Sequence, residues 1–182
     1  MNRRFEFFSV RNMVFTALFA AVLCVVAPFS VLIGPIPLSF ATLVIYIASA
    51  ALGWKCGVMA VVLYVMLGAA GLPVFSNFEG GFQKIAGYTG GFIIGYIPCA
   101  LAAGLIVDVF RTTRFAYILG MVIGTIVLYT IGTLWFIFVT GSSLAAALSL
   151  TVAPFLPGDA AKIIAAFIAA PKLRSALVRI QP

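Results

Sequence analysis

From Arg11 to Lys55, and again from Arg114 to Asp159, the chain carries no charged side chain. Each stretch is long enough for two bilayer-crossing helices, since one crossing takes about 20 residues. A water-soluble fold would need to cover such stretches with polar surface. The chain cannot supply it, because 64% of its 182 residues are apolar and only 8% are charged. The bilayer is therefore its solvent, and the expected fold class is an all-α membrane protein.

Cutting the chain at its charges and its Gly/Pro punctuation gives six predicted spans in one integral-membrane domain, at about 12–33, 38–54, 56–73, 88–110, 115–139 and 158–178. A cleavable signal peptide is the competing account of the first span, and Val25-Val26-Ala27 makes a poor small-x-small site for it. With six spans, Arg3, Arg4, Arg11, Lys55, Arg111, Arg114, Lys172, Arg174 and Arg179 all fall on one side. The positive-inside rule makes that side the cytoplasm and places both termini there. The connections 34–37, 74–87 and 140–157 then face outward.

The net charge of +7 comes without a basic stripe or an aromatic-basic surface, so no nucleic-acid partner is expected. There is no histidine and no GxxxxGK[ST] loop, which removes the histidine-based catalytic arrangements and the usual nucleotide cradle. Cys24, Cys56 and Cys99 stand singly in apolar sequence and read as buried free thiols, not metal ligands. Asp108 and Asp159 fall at opposite ends of their spans, too far apart to share a proton. No enzyme activity is expected; a lipid-modifying membrane enzyme and a non-transporting assembly subunit are the alternatives.

The polar residues that remain gather on the outward side. Residues 71–91, GLPVFSNFEGGFQKIAGYTGG, form the longest polar interruption and carry Asn77, Glu79, Gln83 and Lys84. A connector needs only a few residues, so the 74–87 loop is a candidate lid. Asp159 follows Pro157-Gly158 at the start of the last span, with Lys162 one turn on. A helix cap with a simple i,i+3 ion pair is one reading. A ligand site is the other, because ionisable groups near membrane depth usually face a working cavity. Glycines recur every four residues at 87, 91 and 95 and at 120 and 124, and Ala17 and Ala21 repeat the spacing on the first span. Such stripes let helices approach closely, within the bundle or against another membrane protein.

GPIPLSF at 34–40, GLPVFSNF at 71–78, GYTGGFIIGY at 87–96 and PFLPGDAAK at 154–162, with an ALFAA segment in the first span, resemble the signature stretches of the BioY family. Its members are the biotin-binding substrate-capture (S) subunits of energy-coupling-factor (ECF) transporters. The similarity runs nearly end to end. At 87–91 the chain has Gly-Tyr-Thr-Gly-Gly where the family usually has GPTGG.

The resemblance implies a six-helix bundle of the S-component type in a prokaryotic cytoplasmic membrane. It implies an outward pocket for biotin, and as partners a membrane coupling protein and two ATPase subunits. No cofactor is implied beyond the ATP those subunits use. Asn77, Asp159 and Lys162 match the family's polar ligand contacts. Biotin's chemistry fits them: its ureido group offers two N–H donors and a carbonyl, and its valerate a carboxylate that Lys162 or Lys84 can meet. Phe75, Phe78 and Tyr88 are the candidate walls for the thioether ring. Ala17 and Ala21 are the candidate face for the coupling protein. Another small vitamin-like ligand is the alternative cargo.

Overall fold

A computed structural model of the chain describes residues 9–33, 36–110 and 113–179. Arg3, Arg4, Arg111 and the Gly34-Pro35 pair lie outside the described residues. The described elements are helix α1 (Val10–Val26), strands β1 (Ser30–Ile33) and β2 (Ile36–Ser39), then α2 (Ala41–Leu52) and α3 (Trp54–Ala69). A 3-10 turn (Ser76–Phe78) and the short α4 (Phe82–Ala86) lead into α5 (Gly90–Val109). The chain closes with α6 (Phe115–Thr140), α7 (Leu144–Thr151) and α8 (Leu156–Arg179).

α5 and α6 are each long and apolar enough to cross a membrane, and α7 with α8, bent by 48° at their break, reaches that length and apolar content as a pair. α1, α2 and α3 are apolar but shorter, at 17, 12 and 16 residues. Large apolar side chains such as Val14, Leu18, Ile126, Leu134, Phe138, Ile164 and Ile168 are exposed, whereas Asp159 and Lys162 are buried. That inversion of the water-soluble pattern is what a lipid environment selects.

The first predicted span is corrected. Its helix ends at Val26, and residues 30–33 pair with 36–39 in an antiparallel hairpin, Ser30 opposite Ser39 and Ile33 opposite Ile36. Hydropathy alone does not separate a buried strand from a helix. Three prolines within ten residues, Pro28, Pro35 and Pro37, do, because each removes a helical hydrogen bond, whereas α5 and α8 each accommodate a single one, Pro98 and Pro171. A two-stranded ribbon tolerates Pro37, since each strand has a free edge. The predicted loops are corrected as well: 74–87 contains a 3-10 turn and α4, and 140–157 contains α7. Ser143 caps α7, its hydroxyl accepting from the Ala146 N–H at 3.4 Å.

The α5–α6 pair is the backbone of the bundle, and the glycine spacing explains how closely it packs. Gly91 lies against the Trp135 side chain and Gly95 against Leu128, while Gly120 and Gly124 lie under the carbonyls of Ala103 and Cys99. A Cβ on Gly120 would sit 2.7 Å from the Ala103 oxygen. Gly91, Gly95, Gly120 and Gly124 therefore face the bundle, whereas Gly87 ends α4 and lies outside the α5 stripe. Ala17 and Ala21 are exposed on α1.

At the end of the bundle away from the hairpin, four elements meet around one ion pair. Asp108 accepts from Arg174 Nη2 at 2.6 Å and from the Trp54 backbone N–H at 3.1 Å, and Arg174 Nη1 donates to the Ala50 carbonyl at 3.0 Å. The α2–α3 break fits beneath it because Gly53 takes φ +86, where a Cβ would also lie 2.9 Å from Asp108 Oδ2.

Replacing Gly120 with Leu should lower stability by about 1–3 kcal/mol through overpacking. The same residue placed at lipid-facing Ile126 should be nearly neutral. Thermal unfolding in detergent measures both, and equal effects at the two positions would show that the stripe does not set the helix spacing.

Candidate functional site

At the hairpin end of the bundle, the starts of α2, α5 and α8 converge with the middle of α6. Lys162 and Asp159 stand one turn apart on α8, with Lys162 Nζ 2.8 Å from Asp159 Oδ1. Lys162 also donates to the Ser39 carbonyl at 2.7 Å and to Thr42 Oγ1 at 3.1 Å. An ammonium has three protons, and these three acceptors use them all. Tyr129 reaches across from α6 and donates to Asp159 Oδ2 at 2.6 Å. The pair is 4% and 6% exposed.

Local sequence explains why these groups meet. Ser39 ends the strand, so its carbonyl belongs to no helical ladder and is free to face Lys162. Its hydroxyl donates to the Ala27 carbonyl at 2.8 Å and accepts from the Ala41 N–H at 3.0 Å, which fixes the turn into α2. Thr42 then presents its hydroxyl to the pair from the first turn of α2. Asp159 lies within the first turn of α8, at the positive end of the helix dipole, which favours its charge. Its carboxylate makes its hydrogen bonds to Tyr129, Thr42 and Lys162. The i,i+3 ion pair of the helix-cap reading is present, as one part of a larger buried polar cluster.

These residues line a cavity of about 50 Å³. Its polar wall is Ser39, Thr42, Tyr129, Asp159 and Lys162, joined by Ser76, Lys84, Thr89 and Thr151. Its apolar wall includes Leu38, Phe92, Ile93, Leu128 and Phe155, with Tyr96 between the two kinds. A second, shallower and more polar pocket of about 340 Å³ lies outside it, lined by Glu79, Gly80, Gln83, Lys84, Gly87, Tyr88 and Thr89. Lys84 and Thr89 belong to both.

The structure therefore brings three of the sequence-predicted residues, Asp159, Lys162 and Lys84, to one cavity. The other four lie elsewhere. Asn77 accepts a hydrogen bond from Ser30 Oγ at 2.8 Å and donates its N–H to the Pro28 carbonyl at 3.0 Å, so it latches the 76–78 turn to the hairpin. Its φ of 64 is left-handed, which asparagine tolerates better than most residues. Phe78 is exposed and packs edge-on against Phe29 with centroids 5.4 Å apart. Phe75 is buried in the core, against Tyr64 and the face of Gly68. Tyr88 lines the outer pocket and packs against Phe136. Ser39, Thr42, Tyr129, Thr89 and Tyr96 were missed. Uncharged residues in apolar sequence give no signal of their own, although Ser39 lies inside the GPIPLSF stretch.

Two outcomes are expected at this cluster. Tyr129→Phe removes one charge-assisted bond and should lower thermal stability in detergent by about 1.5–3 kcal/mol. Lys162→Met leaves a buried carboxylate unpaired and should cost about 3–5 kcal/mol, whereas Lys162→Met with Asp159→Leu should restore most of it. A double variant less stable than the single one would make the pair a packing device.

Comparison with known proteins gives a consistent family. Residues 1–179 match the BioY family. A biotin transporter BioY of Thermotoga maritima is 34% identical over 166 residues, covering 91% of this chain and 96% of the relative. A probable biotin transporter BioY of Pyrococcus horikoshii is 37% identical over 158 residues, covering 87% and 93%. Among solved structures, the crystal structure of the S-component for biotin from an ECF-type ABC transporter superposes with a TM-score of 0.85 at 24% identity, covering 91% of this chain and 92% of that one. The fold is that of an ECF S-component.

Proposed function

The chain belongs to the BioY family, and from that premise we propose that it is the substrate-capture subunit of an ECF transporter, with biotin as its cargo. It is a transport protein and not an enzyme. The observation that carries the reading is the buried Asp159–Lys162 pair lining a cavity with apolar walls. Asp159 accepts a ureido N–H, and Tyr129 and Thr42 hold the carboxylate in position to do so. Phe92, Ile93, Leu128 and Phe155 supply the apolar contact that a thioether ring requires.

Ligand sites for small molecules commonly enclose about 300–1,000 Å³, so a cavity of about 50 Å³ must widen to admit biotin. Phe75, buried against Tyr64 and Gly68, anchors one end of the segment over the site, and the part that yields is 76–88. That part joins the rest through the Asn77 bonds to Ser30 and Pro28, the Gly81 N–H donated to the Gly68 carbonyl at 2.7 Å, the Phe78–Phe29 and Tyr88–Phe136 contacts and the Trp135 Nε1–H donated to the Gly87 carbonyl at 2.9 Å. This segment is the lid of the site.

Six crossings are made by α1, α2 with its hairpin, α3, α5, α6 and the broken α7–α8 unit, in the cytoplasmic membrane of a prokaryote. Lys55, Arg114, Lys172 and Arg174 mark the cytoplasmic end, with both termini, and the cavity opens outside. The exposed Ala17–Ala21 stripe of α1 meets the membrane coupling protein. That protein and two ATPase subunits provide the nucleotide-driven step, for which this chain has no phosphate loop.

Biotin at a thousandfold excess over its Kd should stabilise the protein in detergent by about 4 kcal/mol. Absence of a thermal shift would contradict the reading and favour an assembly subunit without its own ligand. Ala17→Trp should leave that shift intact while reducing co-purification with the coupling protein, because the larger side chain holds the helices apart. Loss of both together would place the stripe in the bundle itself.

A further inference from the structure

Two ammonium groups line the cavity, and they differ in how readily each could take a ligand's anion. Lys162 spends its three protons on Ser39, Thr42 and Asp159 inside the protein. Drawing it away would leave the Asp159 carboxylate buried beside a lost partner, a costly exchange. Lys84 has one anionic partner among the described residues, Glu79, at 2.6 Å. The two side chains are unlike in burial: Lys84 is 13% exposed and Glu79 is 50% exposed. Returning Glu79 to water therefore costs little, because an exposed carboxylate is already largely hydrated. Lys84 also stands where the cavity and the outer polar pocket meet, and Glu79 lines only the outer one.

We propose that Glu79 is a built-in surrogate for the ligand's carboxylate: it holds Lys84 until an anionic ligand arrives and is then displaced, so that Lys84, and not Lys162, takes the acid end. The inference rests on the biotin reading and extends it. The ligand lies with its ureido end at Asp159 and its carboxylate towards the outer pocket. Lys162 keeps its structural partners throughout. Because the displaced residue lies in the same loop as the latch at Asn77, carboxylate binding also loosens one contact of the 75–79 stretch, whose ends are joined by the Phe75 N–H donated to the Glu79 carbonyl at 2.9 Å.

The test is titration calorimetry of the purified full chain with biotin and with its neutral amide. Glu79→Gln removes the competitor and should tighten biotin roughly two- to fivefold, the range of an exposed ion pair, while leaving the amide unchanged. Lys84→Met should weaken biotin by about tenfold or more and spare the amide. Adding Glu79→Gln to Lys84→Met should then have no further effect, because the two act as one unit. Amide binding reports that each variant is folded. Wild-type protein that binds neither compound overturns the biotin reading and this inference with it. Wild-type protein that binds both, combined with a Glu79→Gln variant that is unchanged, weaker, or shifted equally for acid and amide, overturns this inference alone.

Discussion

One buried ion pair organises the hairpin end of this bundle. Asp159 and Lys162 are charges placed where lipid and apolar side chains surround them, and such groups are costly unless every proton and lone pair has a partner. Meeting that demand draws in the Ser39 carbonyl from the end of a strand, the Thr42 hydroxyl from α2 and the Tyr129 hydroxyl from α6. Three elements distant in sequence are thus fixed relative to α8 by hydrogen bonds to two side chains. The cavity is the space this arrangement leaves beside the apolar faces of α5 and α6.

The opposite end repeats the strategy with different chemistry. Asp108 and Arg174 tie the break between α2 and α3 to the ends of α5 and α8. α8 therefore carries a polar anchor near each end, Asp159–Lys162 and Arg174, and between them it presents Ala166 and Ala170 to the core and Ile164 and Ile168 outward. A helix pinned at both ends holds the Asp159–Lys162 pair at a fixed height beside the cavity.

Much of this was legible in the sequence because its signals are charge and spacing. Long uncharged runs announced the membrane, PGDAAK announced the pair, and the glycine repeats announced that two helices each approach a neighbour closely, which the structure shows to be one another. The hairpin was not read, since its residues are as apolar as a span and only the prolines distinguish it. Phe75 and Asn77 were read as ligand contacts, yet in the structure one packs against Tyr64 and the other latches a turn. Tyr129 and Thr42 went unnoticed because an uncharged hydroxyl residue in an apolar helix has the same local signature whether it faces lipid, its own backbone or a carboxylate from another helix. Thr130 bonds its own backbone, donating to the Ile126 carbonyl, and its neighbour Tyr129 bonds the carboxylate. Only tertiary packing tells them apart.

The central claim is that Asp159 accepts a hydrogen bond from the ligand, beyond holding Lys162 in place. The affinity of Asp159→Asn for biotin, measured by calorimetry on protein shown to be folded, tests it directly. Asparagine keeps the shape and turns one side of the group into a donor facing a donor, so the account predicts a loss of about 2–4 kcal/mol, roughly thirtyfold to a thousandfold in Kd. An affinity within about twofold of wild type would contradict it and place the ureido group elsewhere in the cavity.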